Sequence, residues 1–205
     1  MKERLRAAYD LIVELVPEGS CVIDLGCGSG ELLARLRREK DVHGRGIEVD
    51  PEKIAACVER GVPVVQADLD QGLADAADGA YDIAILSLTL QVVRRPDTVL
   101  REMLRVSRRS IVTFPNFGFW QVRWQLLRRG RMPVSRALPH QWYNTPNIHQ
   151  LTISDFRAFV EENDWTIVEE VPIIRGIPRR GAYCSNLLAE WGVFVLEKNR
   201  AGERR

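Results

Sequence analysis

The sequence lacks the features that would direct it to a membrane, an oxidising compartment or a metal site. Its 205 residues contain no apolar run that approaches the roughly eighteen residues needed to span a bilayer. The first ten residues lack the apolar core of a signal peptide. Its four cysteines have no C-x-x-C spacing, and its three histidines have no zinc-ligand spacing. We therefore expect a cytoplasmic protein with reduced thiols, no membrane contact and no metal.

Acidic residues are absent between Glu102 and Asp155, and arginine dominates this stretch. Aromatic and aliphatic residues at helical intervals give it one apolar face: Phe117, Trp120, Trp124 and Leu127. Phe119, Trp142 and Tyr143 add aromatic surface nearby. The eight arginines are Arg105, Arg108, Arg109, Arg123, Arg128, Arg129, Arg131 and Arg136.

Three interpretations of this segment compete. In the first, a cap helix packs its aromatic side chains on the sheet and its arginines are solvated. In the second, the segment is a protein interface, because aromatic residues and arginine supply most binding hot spots. The residues predicted to form that partner surface are Trp120, Trp124, Arg128 and Arg129. The third, nucleic-acid contact, ranks last, because lysine is absent there and no nucleic-acid-binding module is recognisable.

Length and composition fit one ordinary globular domain. Apolar residues make up 45% of the chain, charged residues 28%, and the net charge is +1. We expect a single domain over 1–205, with an aromatic and arginine-rich insert at about 116–150 and a disordered tail at 200–205. The composition also leaves a homo-oligomer open.

The most informative motif is C-V-I-D-L-G-C-G-S-G-E, which begins at Cys21 and ends at Glu31. An apolar strand leads there into a turn with glycines at 26, 28 and 30, which lets the backbone turn tightly and approach a bound molecule. The unpaired amides at the start of the following helix face whatever lies over the turn. The spacing differs from G-x-G-x-x-G, so a dinucleotide site is not indicated.

Two further carboxylates are expected at the same edge of the sheet. Glu48 ends the second predicted strand about twenty residues beyond the glycine turn, the position at which an acidic group meets a ribose diol. Asp68 follows the short run at 62–65 and suits an exocyclic amine, as on adenine. Asp24, Glu48 and Asp68 are therefore expected to converge on one cleft from consecutive strand ends.

These motifs together resemble class I S-adenosylmethionine-dependent methyltransferases over roughly the first 115 residues. The alternation of strand and helix patterns predicts a parallel sheet covered on both faces. The resemblance implies an α/β, Rossmann-like class I methyltransferase fold, with a mostly parallel seven-stranded sheet and a C-terminal antiparallel hairpin. An α/β domain with a vestigial site is the alternative. The implied set for S-adenosylmethionine or S-adenosylhomocysteine is Asp24, Gly26, Cys27, Gly28, Gly30, Glu48, Val49, Asp68, Leu69 and Ser87.

Two later segments extend the resemblance to the family of the methionine biosynthesis protein MetW. They read F-P-N-F-G-F-W-Q-V-R-W-Q-L-L-R-R-G-R-M-P-V and A-L-P-H-Q-W-Y-N-T-P-N-I-H, and the resemblance continues to about Val171. It implies a partner or regulator of the homoserine O-acyltransferase MetX, with no methyl acceptor assigned. The alternative is an active methyltransferase that acts on a small molecule.

The candidates for catalysis are weaker. His149 and Tyr143 are placed on the cleft side as bases, with Asn116 as an orienting group. A hydrogen-bonded structural role for His149 is the competing interpretation. Gln91 stands close to where many small-molecule methyltransferases carry histidine, and glutamine cannot act as a base. The turn at 107–110 also lacks the glycines that those enzymes often carry there, so both departures weigh against ordinary small-molecule methyl transfer.

Overall fold

The computed structural model describes residues 2–135 and 138–199, with side chains from residue 5 onward. The helices are α1 Lys2–Leu15, α2 Glu31–Lys40, α3 Pro51–Glu59, α4 Pro96–Val106, α5 Trp120–Arg129, α6 Ile153–Glu162 and α7 Ser185–Leu188. The strands are β1 Cys21–Leu25, β2 His43–Glu48, β3 Val64–Gln66, β4 Tyr81–Ser87, β5 Ser107–Pro115, β6 Trp165–Glu170, β7 Ile173–Ile174, β8 Ile177–Pro178 and β9 Trp191–Lys198. The tail at 200–205, expected to be disordered, and Arg136 lie outside the described residues.

One sheet joins all of these strands in the order β3-β2-β1-β4-β5-β9-β7-β8, with β6 paired to β9. The first five strands are parallel, and β9 is antiparallel to β5 and β6. The prediction of a mostly parallel sheet with a C-terminal antiparallel pair is therefore confirmed.

The predicted number of strands needs correction. Nine strands are present in the described chain instead of seven, because the two-residue strands β7 and β8 pair within the segment that connects β6 to β9. Residues 171–190 make that connection, so β6 and β9 are not joined by a tight turn. Two-residue strands carry too little alternation for a sequence pattern to reveal them.

Helices cover both faces of the sheet because the central strands are apolar on both sides. One buried cluster joins α4 and α6 to the sheet and contains Met103, Phe114, Phe156 and Phe194. The other joins α1 and α2 to the opposite face, where Ile12, Leu32 and Leu36 are buried. No helix in the described ranges is both long and apolar enough to cross a bilayer.

Local chemistry fixes where several elements begin. Asp50 caps α3 by accepting a hydrogen bond of 3.0 Å from the Glu52 amide, and Pro51 takes the first helical position. Thr152 and Asp155 form a capping box at the start of α6. Between α4 and β5 there is no loop, and the Ser107 hydroxyl donates to the Met103 carbonyl at 2.8 Å. This direct junction takes the place of the glycine turn that the sequence lacks.

The insert packs differently from the first interpretation of its aromatic residues. A small cluster of Phe119, Val122 and Leu138 is buried, with Phe117 packed against it. Trp120 and Trp124 are 46% and 53% exposed, and Leu127 is 80% exposed. The expected apolar face therefore does not pack on the sheet. Val122, which the interval pattern omitted, is the buried residue of α5.

Candidate functional site

The candidate site lies at the carboxyl edge of the parallel strands, where the strand order reverses between β1 and β4. Ligands of open α/β sheets bind in the crevice at such a switch point. Asp24 aligns with Gly46 on β2 and with Ile85 on β4, while Glu48 aligns with Gln66 on β3. The register thus brings the ends of β1, β2 and β3 to one edge.

The glycine turn after β1 is held by backbone hydrogen bonds to β2. The amides of Gly26 and Cys27 both donate to the Ile47 carbonyl, at 2.8 Å and 3.0 Å. Gly26 has a φ of 73°, and a Cβ atom there would lie 2.6 Å from two side-chain atoms of Thr89. Gly28 has a φ of 56°, but the space above its Cα is open. Gly26 is therefore required for packing, while Gly28 leaves the backbone accessible to a ligand.

Glu48 connects β2 to this turn through its carboxylate. Its Oε2 accepts from the Gly28 amide at 2.9 Å, and its Oε1 accepts from the amides of Val49 and Asp50 at 2.8 Å and 3.1 Å. The residue is only 6% exposed. A carboxylate offers about four acceptor positions, and three amides already occupy three of them. One ligand hydroxyl could therefore bind at the remaining position. A second hydroxyl could bind only by replacing one of the amides.

Asp24 is a second buried acid in the site. Its side chain is 2% exposed, and burial, followed by the nearby Glu48 carboxylate, raises the pKa of Asp24 to about 7. Its carboxylate accepts no hydrogen bond from any of the described residues. A cationic ligand above it would favour the ionised form.

Tyr9 of α1 belongs to the same neighbourhood, although the sequence motifs did not indicate it. Burial of the phenol raises the pKa of Tyr9, and Asp24, Glu31 and Cys27 raise it further in that order. Tyr9 also packs against the buried cluster that contains Cys27, so α1 lies near the glycine turn. A signal existed in the sequence: Tyr9 is the one aromatic residue of an otherwise aliphatic amphipathic helix.

The remaining predicted cofactor residues lie around this centre with different exposures. Asp68 is exposed and caps a short 3-10 turn at 69–71 by accepting from the Asp70 amide at 3.0 Å. Leu69 is 8% exposed, whereas Val49 is 58% exposed. The Ser87 hydroxyl lies 3.2 Å from the Thr113 hydroxyl, on β5.

Two thiols meet at the glycine turn. Cys27 and Cys57 are both free and buried, with their sulfur atoms 3.8 Å apart, and the Cys57 thiol donates to the Gly28 carbonyl at 3.1 Å. Burial, and then the Asp24 carboxylate, raises the pKa of Cys27. Burial likewise raises the pKa of Cys57. Both thiols pack as neutral groups in this structure.

The segment after β4 completes the wall opposite the glycine turn. Leu88 has a φ of 55°, which is unusual for a bulky residue, and its amide donates to the Thr113 carbonyl at 3.0 Å. The next residue, Thr89, places its side chain against Gly26. Gln91 follows, and its Nε2 donates to the Leu88 carbonyl at 2.7 Å. Sequence reasoning missed Leu88 and Thr89, because a left-handed leucine leaves no sequence signal.

The structure separates the catalytic candidates. His149 is partly buried beside Gln91, whose carbonyl accepts from the amides of Ile148 and His149 at 2.8 Å and 3.1 Å. Tyr143 is 70% exposed and lies edge-on to Trp142. Asn116 bridges backbone groups, donating to Asn186 and Ala189 and accepting from Gly118 and Ile153. It is therefore a structural residue instead of an orienting group.

The predicted partner residues all lie on α5. Trp120 and Trp124 are about half exposed, and Arg128 and Arg129 are exposed at the end of the helix. Within the described chain, the guanidinium groups of these two arginines form no ion pair or hydrogen bond. We call the exposed aromatic and arginine face of α5, formed by these four residues, the α5 surface.

The fold and the edge that carries the glycine turn define a class I S-adenosylmethionine-dependent methyltransferase fold. A possible histamine N-methyltransferase from Thermotoga maritima superposes with a TM-score of 0.71 at 16% identity, covering 95% of this chain and 89% of that one. An S-adenosylmethionine-dependent methyltransferase from Mesorhizobium loti gives 0.66 at 14% identity, with 94% and 98% covered. At these identities the likeness establishes the fold alone.

Sequence comparison gives the family. The model of the family "Methionine biosynthesis protein MetW" matches residues 6–196, and the chain belongs to that family. The match continues past Val171, where the recognisable motifs ended. The bifunctional methionine biosynthesis protein MetXA/MetW of Rhodopirellula baltica is 40% identical over 176 residues, which are 82% of this chain. The matched part spans 28% of that relative's length.

Proposed function

We propose that this chain binds S-adenosylmethionine at the glycine turn and regulates a homoserine O-acyltransferase in response to it. The observation that carries the cofactor half is the pairing of the Glu48 carboxylate with the Gly28 amide at 2.9 Å, beside an open glycine backbone. Charge supports it as well, because Asp24 and Glu48 are buried acids and the cofactor carries a sulfonium and an ammonium group. The residues present fit the cofactor.

Each part of the cofactor has a counterpart at this edge. The glycine turn and Asp24 would hold the amino-acid portion, and Glu48 the ribose hydroxyls. Asp68 and Leu69 would face the adenine, with Val49 beside it. In an enzyme, the bound cofactor would supply an electrophilic methyl group. In a sensor, its binding would signal how much methionine is available.

The partner half is supported by the relative and by the α5 surface. In the Rhodopirellula baltica protein, the matched segment belongs to a chain named for both MetXA and MetW. Fusion in one chain places two activities at a high effective concentration, which suits proteins that act together. Trp120 and Trp124 are exposed beside unpaired arginines, the composition of interface hot spots. We infer that this surface contacts the acyltransferase.

The cytoplasm is the compartment we propose for this activity. All four cysteines are free, and the two at the glycine turn are 3.8 Å apart without a bond between them. Such a pair fits a reducing environment.

Calorimetric titration with S-adenosylmethionine, with and without the acyltransferase, tests the proposal. A regulator must show reciprocal coupling: if the partner alters cofactor affinity, the cofactor alters partner affinity by the same factor. Binding that ignores the acyltransferase would contradict the regulatory role. No binding at all would contradict the cofactor assignment and leave a scaffold with a vestigial site.

An active small-molecule methyltransferase is the second candidate, and one observation favours it. His149 Nε2 is buried without a hydrogen-bond partner at the same edge of the sheet, where a base could stand. Incubation of the protein with S-adenosylmethionine and a pool of cell metabolites would then produce S-adenosylhomocysteine. Loss of this product in Glu48→Ala would support the methyltransferase function. Absence of turnover with any pool would remove it.

A further inference from the structure

A cavity of about 270 Å³ lies between α4 and α6 at the carboxyl edge of the sheet. It is smaller than the pockets that hold drug-sized ligands, so its occupant would be a small molecule. Leu151 and the first turns of the two helices form its walls. The apolar side chains that line it are Leu90, Pro96, Leu100, Leu151, Phe156 and Phe159.

One residue in the cavity wall and one next to it each have a side-chain polar atom that is buried without a hydrogen-bond partner. His149 lines the cavity, and its Nε2 makes no hydrogen bond. Gln91, whose backbone carbonyl accepts from the His149 amide, lies outside the cavity lining; it is 5% exposed, and its Oε1 is also buried and unpaired. Native structures leave few buried polar atoms unsatisfied, so the unpaired His149 Nε2 in the cavity wall supports a further molecule in this site.

The charge of the wall selects the kind of molecule. Asp97 lines the cavity, is half-buried, and forms no ion pair or hydrogen bond within the described residues. Arg101, one helical turn further along α4, does not pair with it. Asp155 also lines the cavity, but its carboxylate is engaged in the capping box of α6. The cavity therefore presents an unpaired carboxylate and an imidazole among apolar side chains.

We propose that this cavity binds a small organic amine in its ammonium form. An ammonium group supplies three hydrogen-bond donors, which suit the Asp97 carboxylate and the unpaired Nε2 of His149. Its hydrocarbon part would contact Leu90, Leu100 and Phe159, which line the cavity. An anion or a neutral alcohol would leave Asp97 without a counter-charge. The site does not depend on the cofactor or on the acyltransferase.

The test compares n-butylamine and 2-phenylethylamine with n-butanol and butyrate at pH 7, by saturation-transfer NMR and calorimetry on the full chain. We expect the amines to bind and the alcohol and acid to bind at least about tenfold more weakly, because a charge-assisted hydrogen bond is lost. Asp97→Asn should weaken amine binding about ten- to a hundredfold. His149→Gln, which keeps polar atoms but no imidazole, should weaken it less.

The matched control is Asp75→Asn, because Asp75 is an exposed acid outside the cavity. Circular dichroism of each variant shows whether the fold is retained. Leu100→Trp is a second variant that should prevent amine binding, because the larger side chain fills the cavity without changing any charge. Equal binding of butanol and butylamine would overturn the proposal. So would wild-type affinity in Asp97→Asn, or no amine binding at 10 mM, roughly the weakest affinity that such contacts should give.

Discussion

Glu48 Oε2 lies 2.9 Å from the Gly28 amide, and this hydrogen bond joins the end of β2 to the glycine turn after β1. The other carboxylate oxygen holds the two amides that lead into α3. One side chain therefore positions both the turn and the helix that follow neighbouring strands. Its charge matters as much as its shape, because all three partners are N–H donors.

Glu48→Gln should keep the fold and lose cofactor affinity. Glutamine retains one carbonyl acceptor but points an NH₂ donor at backbone amides, so the turn loses at least one charge-assisted hydrogen bond. We expect the dissociation constant for S-adenosylmethionine to rise roughly ten- to a hundredfold. Calorimetry measures it, with Glu52→Gln as the control, because Glu52 is exposed on α3. Wild-type affinity in Glu48→Gln would show that ribose is held elsewhere.

Gly26 and Gly28 should differ sharply when each is replaced by alanine. A Cβ at Gly26 would lie 2.6 Å from Thr89 Cγ2, so Gly26→Ala must displace the segment after β4. At Gly28 nothing lies within 4 Å, and only the left-handed conformation opposes the substitution, at a cost of about 1 kcal/mol. Urea unfolding should show a much larger loss of stability for Gly26→Ala.

Thr89→Ala provides the check on that explanation. It removes the two Thr89 atoms that would lie 2.6 Å from the new Cβ, although Thr89 Cβ at 3.1 Å stays close. The double variant Gly26→Ala/Thr89→Ala should therefore recover part of the stability that Gly26→Ala loses. Strictly additive effects would mean that the two residues do not clash in this way.

The alternation of strands and helices, and from it the mostly parallel sheet, could be predicted from the sequence because most of these strands are apolar runs with a clear turn after them. The glycine turn and Glu48 lie at the expected strand ends. The glycine turn and Glu48 depend on residues close to them in the sequence, so a short sequence motif is enough to reveal them.

What the sequence could not predict depends on contacts between distant segments. Tyr9 reaches the site only because α1 packs beside the turn, and Thr89 reaches it only because β1 and β4 are adjacent. One interpretation of the insert would bury the tryptophans of α5, yet Phe119 and Val122 are buried instead. A helical interval identifies faces of a helix but not which face the rest of the chain covers.

The α5 surface should be required for association with the acyltransferase but not for folding. Trp124 is 53% exposed and lies outside the buried clusters, so Trp124→Ala should not prevent folding. We expect Trp124→Ala or Arg128→Glu to weaken acyltransferase binding at least about tenfold, as hot-spot residues do. Pull-down and calorimetry measure this, with thermal unfolding to confirm that stability is unchanged.

Tyr183→Ala is the matched control for that experiment. Tyr183 is 92% exposed and lies outside the insert, so its loss removes an aromatic side chain without touching α5. Retained binding in Trp124→Ala would contradict the assignment of this surface. Sedimentation of the chain alone distinguishes a further outcome, in which the variants abolish self-association and the surface joins two copies.

Asp24 should make the stability of the chain depend on pH. The pKa of Asp24 is about 7 in the folded protein, raised first by burial and then by Glu48. In the unfolded chain, the pKa of an aspartate is about 3.9. Between these values the folded chain binds more protons than the unfolded chain, so stability should fall as pH rises from about 4 to 7. The slope from one such group is at most about 1.4 kcal/mol per pH unit.

Asp24→Asn removes this titration and isolates its contribution. Its stability relative to the wild type should increase between pH 4.5 and 7 and then stay constant, as measured by urea unfolding at each pH. Glu48→Gln should shift the upper end of that window to lower pH, because the neighbouring negative charge is gone.

Cofactor binding should release a proton near pH 7, since the cationic ligand favours ionised Asp24. Parallel stability curves for wild type and Asp24→Asn would mean that Asp24 is already ionised in the folded chain at pH 4.5.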